Sequence, residues 1–393
     1  MKFFEKTGIE LDSPHGKKRV YFKVGLILGD NLGVHKLLGF TESFNSNYAC
    51  RFCKMTLAQR SMASVEDTTL LRNKHNYDID LMKHDVSKTG INERCIFHEL
   101  PGFHVTDNLT VDIMHDCLEG FCMFDLVTLI KLCIEKKHFT LEQLNERIFS
   151  YPWKSNCNKP RFIFQNDLNN DCLRMSASEI FTFVLHFGLL IGDCVPKDEP
   201  AWQVYVNLRQ IVSLVTSTSL QNGCSKLLSS LIREHHVLAR DVLKRSLKPK
   251  DHFALHMARV MEQSGPLINI WSMRGEAKHQ ESKLASHSSN SKQNVCETIA
   301  IKHQLKLACM LYEKQMFVDS QDGPSYISSF KKLNLPLHPF FSYDTIFFNT
   351  SLNTYVFLNG LLGMVLNIHL RWLYASKKTK ANLFLVLLNI FVR

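Results

Sequence analysis

The feature that most constrains the fold is a long central region, residues 112–262, whose apolar side chains recur at helical spacing. Thr140 and Ser176 stand where helices are expected to begin, because a hydroxyl at that position accepts hydrogen bonds from free backbone amides. These patterns predict a mainly α-helical block. The first apolar stripe in it is formed by Met114, Leu118, Phe121, Phe124, Leu126, Leu129, Ile130 and Ile134.

Ahead of this block, residues 17–30 predict one buried strand that runs into a carboxylate. Residues 20–28 are rich in β-branched and aromatic side chains, and Gly29 and Asp30 follow them directly. A carboxylate at the end of a strand can hold a divalent metal ion in a fixed position. The alternative is a turn aspartate that caps the next segment, because Gly-Asp-Asn is ordinary turn composition.

A second carboxylate of interest, Glu276, lies in the charged segment 274–279 and is expected to open a late helix. Arg274, Lys278 and His279 surround it and could contact phosphate oxygens. The alternative is a solvated, charged helix start, which is the commoner fate of such a run.

Cys50 and Cys53 have the spacing of metal ligands, since two thiolates three positions apart can reach one zinc ion. The sequence has no second CxxC, which excludes a zinc ribbon. The alternative is a pair of buried, unliganded thiols.

Composition narrows the class of protein. The 393 residues are 45% hydrophobic and 21% charged, as in globular proteins, and the net charge of +10 suits a polyanionic partner such as DNA. The twelve cysteines are scattered, and the first residues lack an apolar signal-peptide core, which together favour a reducing, intracellular compartment. In the apolar tail, Asn359, Asn367, His369 and Arg371 would be costly inside a bilayer, so a membrane span is disfavoured.

Over roughly residues 1–320, the chain resembles the DDE transposases of the CACTA and tnp2 type. The resemblance lies in the order of four short motifs, at residues 20–30, 50–53, 112–116 and 274–279. The resemblance implies an α/β fold, an incomplete ribonuclease-H-like core interrupted by a large, mainly α-helical insertion. It predicts a partial core at 1–47 with its strand ending at Asp30, and a loop-rich, cysteine-containing segment at 48–111. The insertion then occupies 112–262, the return to the core with the Glu276 helix 263–320, and a divergent apolar tail 321–393.

The same resemblance implies two-metal DNA strand cleavage and transfer in the nucleus. Asp30 and Glu276 would be two of three catalytic carboxylates that hold Mg²⁺, and Arg274, Lys278 and His279 would contact DNA at the transposon ends. The first catalytic aspartate of the family is expected upstream of Met1. The chain is therefore expected to be an N-terminally truncated, catalytically inactive transposase remnant, with homo-oligomerisation left open.

The family also pairs such cysteines with a histidine, in a motif matched here by residues 112–115. By resemblance, Cys50, Cys53 and His115 are three ligands of a structural zinc ion, and the fourth comes from Asp112, Cys95, His98 or His104. Two further hypotheses stay open at this point. One is a non-enzymatic, zinc-containing module that binds DNA or protein, and the other is a pseudogene product without function.

Overall fold

The computed structural model describes residues 2–13, 16–155, 157–289, 293–312 and 385–392. Backbone contacts divide the chain into two compact units. As far as these ranges are described, the first unit comprises Met1–Leu37, Ile96–Asn108 and Ser272–Arg393, and the second comprises Leu38–Cys95 and Leu109–Trp271. The Cys50–Cys53 segment and the predicted helical block therefore belong to one unit.

The described residues are mainly helical, with few strands. The first helices along the chain are α1 (Lys2–Lys6), α2 (Asn31–Leu38), α3 (Leu57–Met62), α4 (Lys74–Met82), α5 (Val86–Thr89), α6 (Met123–Glu135), α7 (Leu141–Ser150) and α8 (Gln165–Asn169). They are followed by α9 (Ala177–Ile191), α10 (Pro200–Val215), α11 (Cys224–Asp241), α12 (Pro249–Ala254), α13 (Met257–Ser264), α14 (Met273–His287) and α15 (Val295–Tyr312). The strands are β1 (Ile9–Ser13), β2 (Gly16–Leu28) and β3 (Leu385–Val392), and short 3-10 turns lie at Thr68–Leu70, Ile96–Glu99 and Leu267–Asn269.

The first unit contains a three-stranded antiparallel sheet in the order β1-β2-β3. Ile9 lies opposite Val20 in the β1–β2 hairpin, and Leu28 lies opposite Leu385 across β2 and β3. The buried strand predicted ahead of Asp30 is confirmed as β2. This antiparallel sheet does not show a ribonuclease-H-like core, which stays a prediction.

In the second unit, the predicted helical character of the central block is confirmed. Thr140 and Ser176 cap α7 and α9, and each accepts a hydrogen bond from the backbone amide three residues later. Phe121, Phe183 and Phe187 are fully buried among the apolar faces of these helices. Burial of such large side chains is the main source of the stability of this unit.

A π-helix, Met114–Cys122, brings α12 close to the start of α6. Gly120 departs from helical geometry inside it, and a side chain at that position would lie 3.0 Å from Cδ of Lys250 in α12. The Lys250 ammonium in turn donates a hydrogen bond of 2.9 Å to the carbonyl oxygen of Glu119. A Cβ at this position would also lie 3.0 Å from the His115 carbonyl oxygen, so the kink in the π-helix favours glycine.

The apolar segment 351–374 lies outside the described residues. The described part of the predicted tail is β3, which completes the sheet. Among the helices that the structure describes, none combines the length and the apolar character needed to cross a bilayer.

Candidate metal centre

The second unit gathers four buried sulfur- and nitrogen-bearing side chains at one point, those of Cys50, Cys53, His252 and His256. Each is only 1% exposed, and one potential ligand atom from each lies within 4.8 Å of the others. The Cys50 Sγ to His256 Nε2 distance is 3.4 Å, and the Cys53 Sγ to His252 Nε2 distance is 3.3 Å. A tetrahedral zinc ion with ordinary bond lengths would separate such sulfur and nitrogen atoms by about 3.5 Å. These two sulfur–nitrogen distances are therefore close to those that a tetrahedral ion requires.

The two cysteines are held by a tight turn. The Phe52 amide donates a hydrogen bond of 3.3 Å to Cys50 Sγ, which orients that sulfur inward. The residues around Cys53 pair with the segment near Leu71, through hydrogen bonds from the Lys54 amide to the Leu70 carbonyl and from the Arg72 amide to the Phe52 carbonyl. Both thiols consequently point to the same side of this turn.

The two histidines come from the α12–α13 segment. Pro249 occupies the first turn of α12, and Asp251 accepts a hydrogen bond of 2.7 Å from the Lys248 amide, which fixes where the helix begins. His252 lies in the last turn of α12 and His256 in the two-residue turn that precedes α13, and their ring centroids are 5.1 Å apart. They therefore reach the cysteine turn together.

His256 is also oriented from its other ring nitrogen. Its Nδ1 lies 2.5 Å from a carboxylate oxygen of Glu66, and the Arg259 guanidinium donates a hydrogen bond of 3.0 Å to the same carboxylate. The His256 ring stacks on Phe52, with 4.7 Å between ring centroids. A carboxylate behind the histidine is the usual outer support of a metal-bound imidazole, because it fixes the ring and the tautomer.

The electrostatics of the centre favour ionised sulfur. Burial opposes ionisation of Cys50, but the hydrogen bond with Cys53 and the charges of His256 and His252 outweigh it, and the pKa of Cys50 lies well below its usual range. The hydrogen bond with Cys50 and burial raise the pKa of Cys53, because a second negative charge beside the first is disfavoured. Burial lowers the pKa of His252, and the charge of Cys50 opposes this. A divalent cation is the partner that permits both thiols to ionise.

His115 and Asp112 are not part of this cluster. His115 Nδ1 lies 2.5 Å from Asp112 Oδ2, and Asp112 Oδ1 accepts a hydrogen bond of 3.1 Å from the Met114 amide at the start of the π-helix. His252 and His256 occupy the places that the sequence prediction gave to His115 and Asp112. Their HxxxH spacing downstream of the CxxC was a visible signal for a zinc site, and sequence reasoning passed over it.

The other candidate fourth ligands also lie elsewhere. The amide of buried Cys95 donates a hydrogen bond of 3.3 Å to the Tyr77 hydroxyl. His98 and His104 belong to the first unit, where their rings stack with centroids 4.3 Å apart. None of the three belongs to the metal-ligand cluster found among the described residues.

Asp30 and Glu276 both lie in the first unit. Asp30 Oδ1 accepts a hydrogen bond of 2.6 Å from the Gly33 amide, so this half-buried carboxylate shapes the turn that leads into α2. Glu276 is half-buried in the first turn of α14, as the sequence predicts for a helix start. Within the described residues, neither belongs to a cluster of three or more potential metal ligands, and a magnesium site there stays a prediction.

The three residues predicted to contact DNA all lie on α14. Arg274 is exposed and His279 is half-buried, while the Lys278 side chain lies outside what the structure describes. Burial lowers the pKa of His279, the charge of Lys283 adds to this, and the charge of Asp30 opposes it. Asp30 is therefore close enough to act electrostatically on α14.

The four side chains of the buried cluster supply a complete set of ligands for one metal ion. Two thiolate sulfurs and two imidazole nitrogens are the ligands that a structural zinc ion takes, and the cluster could hold such an ion. All twelve cysteines of the chain are free of disulfides, so both sulfurs of the cluster can serve as ligands. No protein-family model and no curated protein matches the sequence.

Proposed function

We propose that Cys50, Cys53, His252 and His256 bind one zinc ion, and that the second unit is a zinc-stabilised structural module. The observation that carries the proposal is the convergence of four buried donor atoms within 4.8 Å. Cys53 and His252 are 199 residues apart in the chain, so a bound ion would join distant segments directly. Metal binding of this kind contributes to the free energy of folding.

The chemistry of the donors supports zinc over other common cations. Magnesium and calcium take oxygen ligands, whereas thiolate together with imidazole suits zinc. All four protein donors are buried, which leaves no position for a substrate, and this is the arrangement of a structural centre. The role of the ion is therefore to hold the cysteine turn against the α12–α13 segment.

Metal removal tests this proposal. We expect zinc to co-purify with the full chain, and a strong chelator to remove it with a large fall in the urea concentration at which the helical circular dichroism signal is lost. Re-addition of zinc is expected to restore the original midpoint, because a structural ion binds the folded state much more tightly than the unfolded chain. A zinc-free chain that unfolds at the same urea concentration as the zinc-bound chain would contradict the proposal.

A second candidate function is favoured by the presence of Asp30 and Glu276 in one compact unit. Asp30 lies two residues after the end of β2, and Glu276 lies in the first turn of α14 of the same unit. We propose on this basis that the first unit retains two carboxylates of a DDE-type, two-metal DNA cleavage site. The net charge of +10 is compatible with the DNA substrate that this function requires.

Mn²⁺ binding by the first unit tests this second candidate function separately from the zinc centre of the second unit. Two carboxylates without a third should bind Mn²⁺ weakly, with a dissociation constant on the order of millimolar. We expect Glu276→Gln to remove this binding, measured by the relaxation of water protons, and Glu281→Gln on the same helix to retain it. Equal Mn²⁺ binding by the wild-type chain and the Glu276→Gln variant would rule out the assignment of Glu276.

A further inference from the structure

A second buried polar cluster, separate from the cysteine and histidine centre, lies in the second unit. It contains His235 and His236 on α11, Asp251 on α12 and Asp125 on α6. Each of these side chains is at most 1% exposed. Buried polar groups in such a place need partners, because each one without a hydrogen bond costs about 1–3 kcal/mol.

The carboxylates of this cluster are well supported. The Arg245 guanidinium donates two hydrogen bonds to Asp251, of 2.7 and 2.9 Å, and a third of 2.8 Å to Asp125. Asp125 in turn lies 2.5 Å from His235 Nε2. Among the described residues, Asp251 Oδ2 accepts bonds from Arg245 and from the Lys248 amide, while Oδ1 accepts only the bond from Arg245. Asp251 Oδ1 therefore keeps a lone pair for a further partner.

The imidazoles, in contrast, present nitrogens without hydrogen bonds. Within the described part of the chain, His235 Nδ1 and both ring nitrogens of His236 have no hydrogen-bond partner, although they are fully enclosed. One potential ligand atom from each of His235, His236 and Asp251 lies within 4.8 Å of the others.

We propose that His235, His236 and Asp251 bind a second zinc ion in the second unit, through His235 Nδ1, one ring nitrogen of His236 and Asp251 Oδ1. Two imidazoles and a carboxylate form an established type of zinc ligand set, in which the fourth position is taken by water. The ion would satisfy two of the three ring nitrogens that lack hydrogen bonds within the described residues. This site does not depend on the Cys50, Cys53, His252 and His256 centre.

The surroundings of the cluster match those of the first centre. At the first centre, Glu66 supports His256 from behind and is itself held by Arg259. Here Asp125 supports His235 from behind and is held by Arg245. In both places the arrangement leaves the opposite ring nitrogen of the histidine free to face an ion, as outer carboxylates do in metal sites.

The balance of charge also favours a cation. Asp125 and Asp251 carry two negative charges against the single positive charge of Arg245, and all three are largely buried. Excess buried charge is costly unless it is compensated. A zinc ion compensates it, and the competing occupant is a proton on His235 Nδ1, which a bound ion excludes.

Metal content and zinc X-ray absorption of the full wild-type chain test the proposal without any substitution. Two occupied sites predict about two zinc ions per chain and an average of about one sulfur neighbour per zinc, since only the first centre supplies sulfur. The variant His236→Phe, which keeps a ring of similar size, is expected to hold one zinc ion with two sulfur neighbours. The control His186→Phe, at a half-buried histidine outside both clusters, should keep two.

The outcomes separate this site from the first. One zinc ion per chain with two sulfur neighbours, unchanged in His236→Phe, would overturn the second site and leave the proposed structural centre standing. One zinc ion with no sulfur neighbour would support the second site and overturn the first. Because the wild-type chain alone decides between these results, the test holds even where His236→Phe fails to fold.

Discussion

The substitution Cys50→Ser is expected to release zinc from the Cys50, Cys53, His252 and His256 centre and to destabilise the second unit by about 5 kcal/mol or more. Serine is a poor zinc ligand, so the variant loses the metal ion. Cys53, His252 and His256 then stay buried without the ion that joins them. The free energy of unfolding, measured by urea titration of the helical circular dichroism signal, should show this loss. Zinc content, measured on the same sample, should fall by one ion per chain.

A matched control is available in the same unit. Cys133 is equally buried on α6 and lies outside the cluster, so Cys133→Ser makes the same chemical change without touching a ligand. We expect this control to cost about 1–2 kcal/mol and to keep its zinc. If both variants lose the same small amount of stability and neither loses zinc, Cys50 is not a metal ligand.

The substitution Arg245→Met is expected to destabilise the second unit by about 3–5 kcal/mol. The Arg245 guanidinium donates hydrogen bonds to both Asp125 and Asp251. Burial lowers the pKa of Arg245, but the attraction of the two carboxylates outweighs burial, and the pKa is raised. Methionine preserves much of the side-chain volume but leaves two buried carboxylates without their cation. The free energy of unfolding by urea at neutral pH measures the loss.

The exposed pair of Arg161 and Glu179 provides the comparison for that substitution. Arg161 is about half exposed and bonds Glu179 at 3.0 Å. Surface pairs of this kind contribute about 0–1 kcal/mol, so Arg161→Met should cost far less than Arg245→Met. Equal and small losses in both variants would show that the buried guanidinium is not what stabilises the two aspartates.

The parts of the fold that depend on neighbouring residues could be predicted from the sequence. Thr140 and Ser176 begin helices because the side chains that cap a helix lie within three residues of its start. The strand before Asp30 was visible in its β-branched and aromatic run. Its partner β3 was not, because strand pairing across more than 350 residues leaves no local pattern in either segment.

Only the two cysteines of the candidate metal centre were predicted correctly from the sequence. Cys50 and Cys53 share a short motif, and the structure places both in the cluster. By resemblance, His115 was expected to be the third ligand, but it instead pairs with Asp112 at a helix start. His252 and His256 carried a readable HxxxH spacing. The convergence of His235, His236 and Asp251 instead depends on the tertiary fold, which brings α11 and α12 together at this point.

The most direct test of the structural zinc centre is a crystal structure of the chain with an anomalous difference map recorded at the zinc absorption edge. We predict a peak between Cys50 Sγ, Cys53 Sγ, His252 Nε2 and His256 Nε2, at zinc–sulfur distances of about 2.3 Å and zinc–nitrogen distances of about 2.0–2.1 Å. A map from zinc-replete crystals with no peak among these four side chains would contradict the proposal.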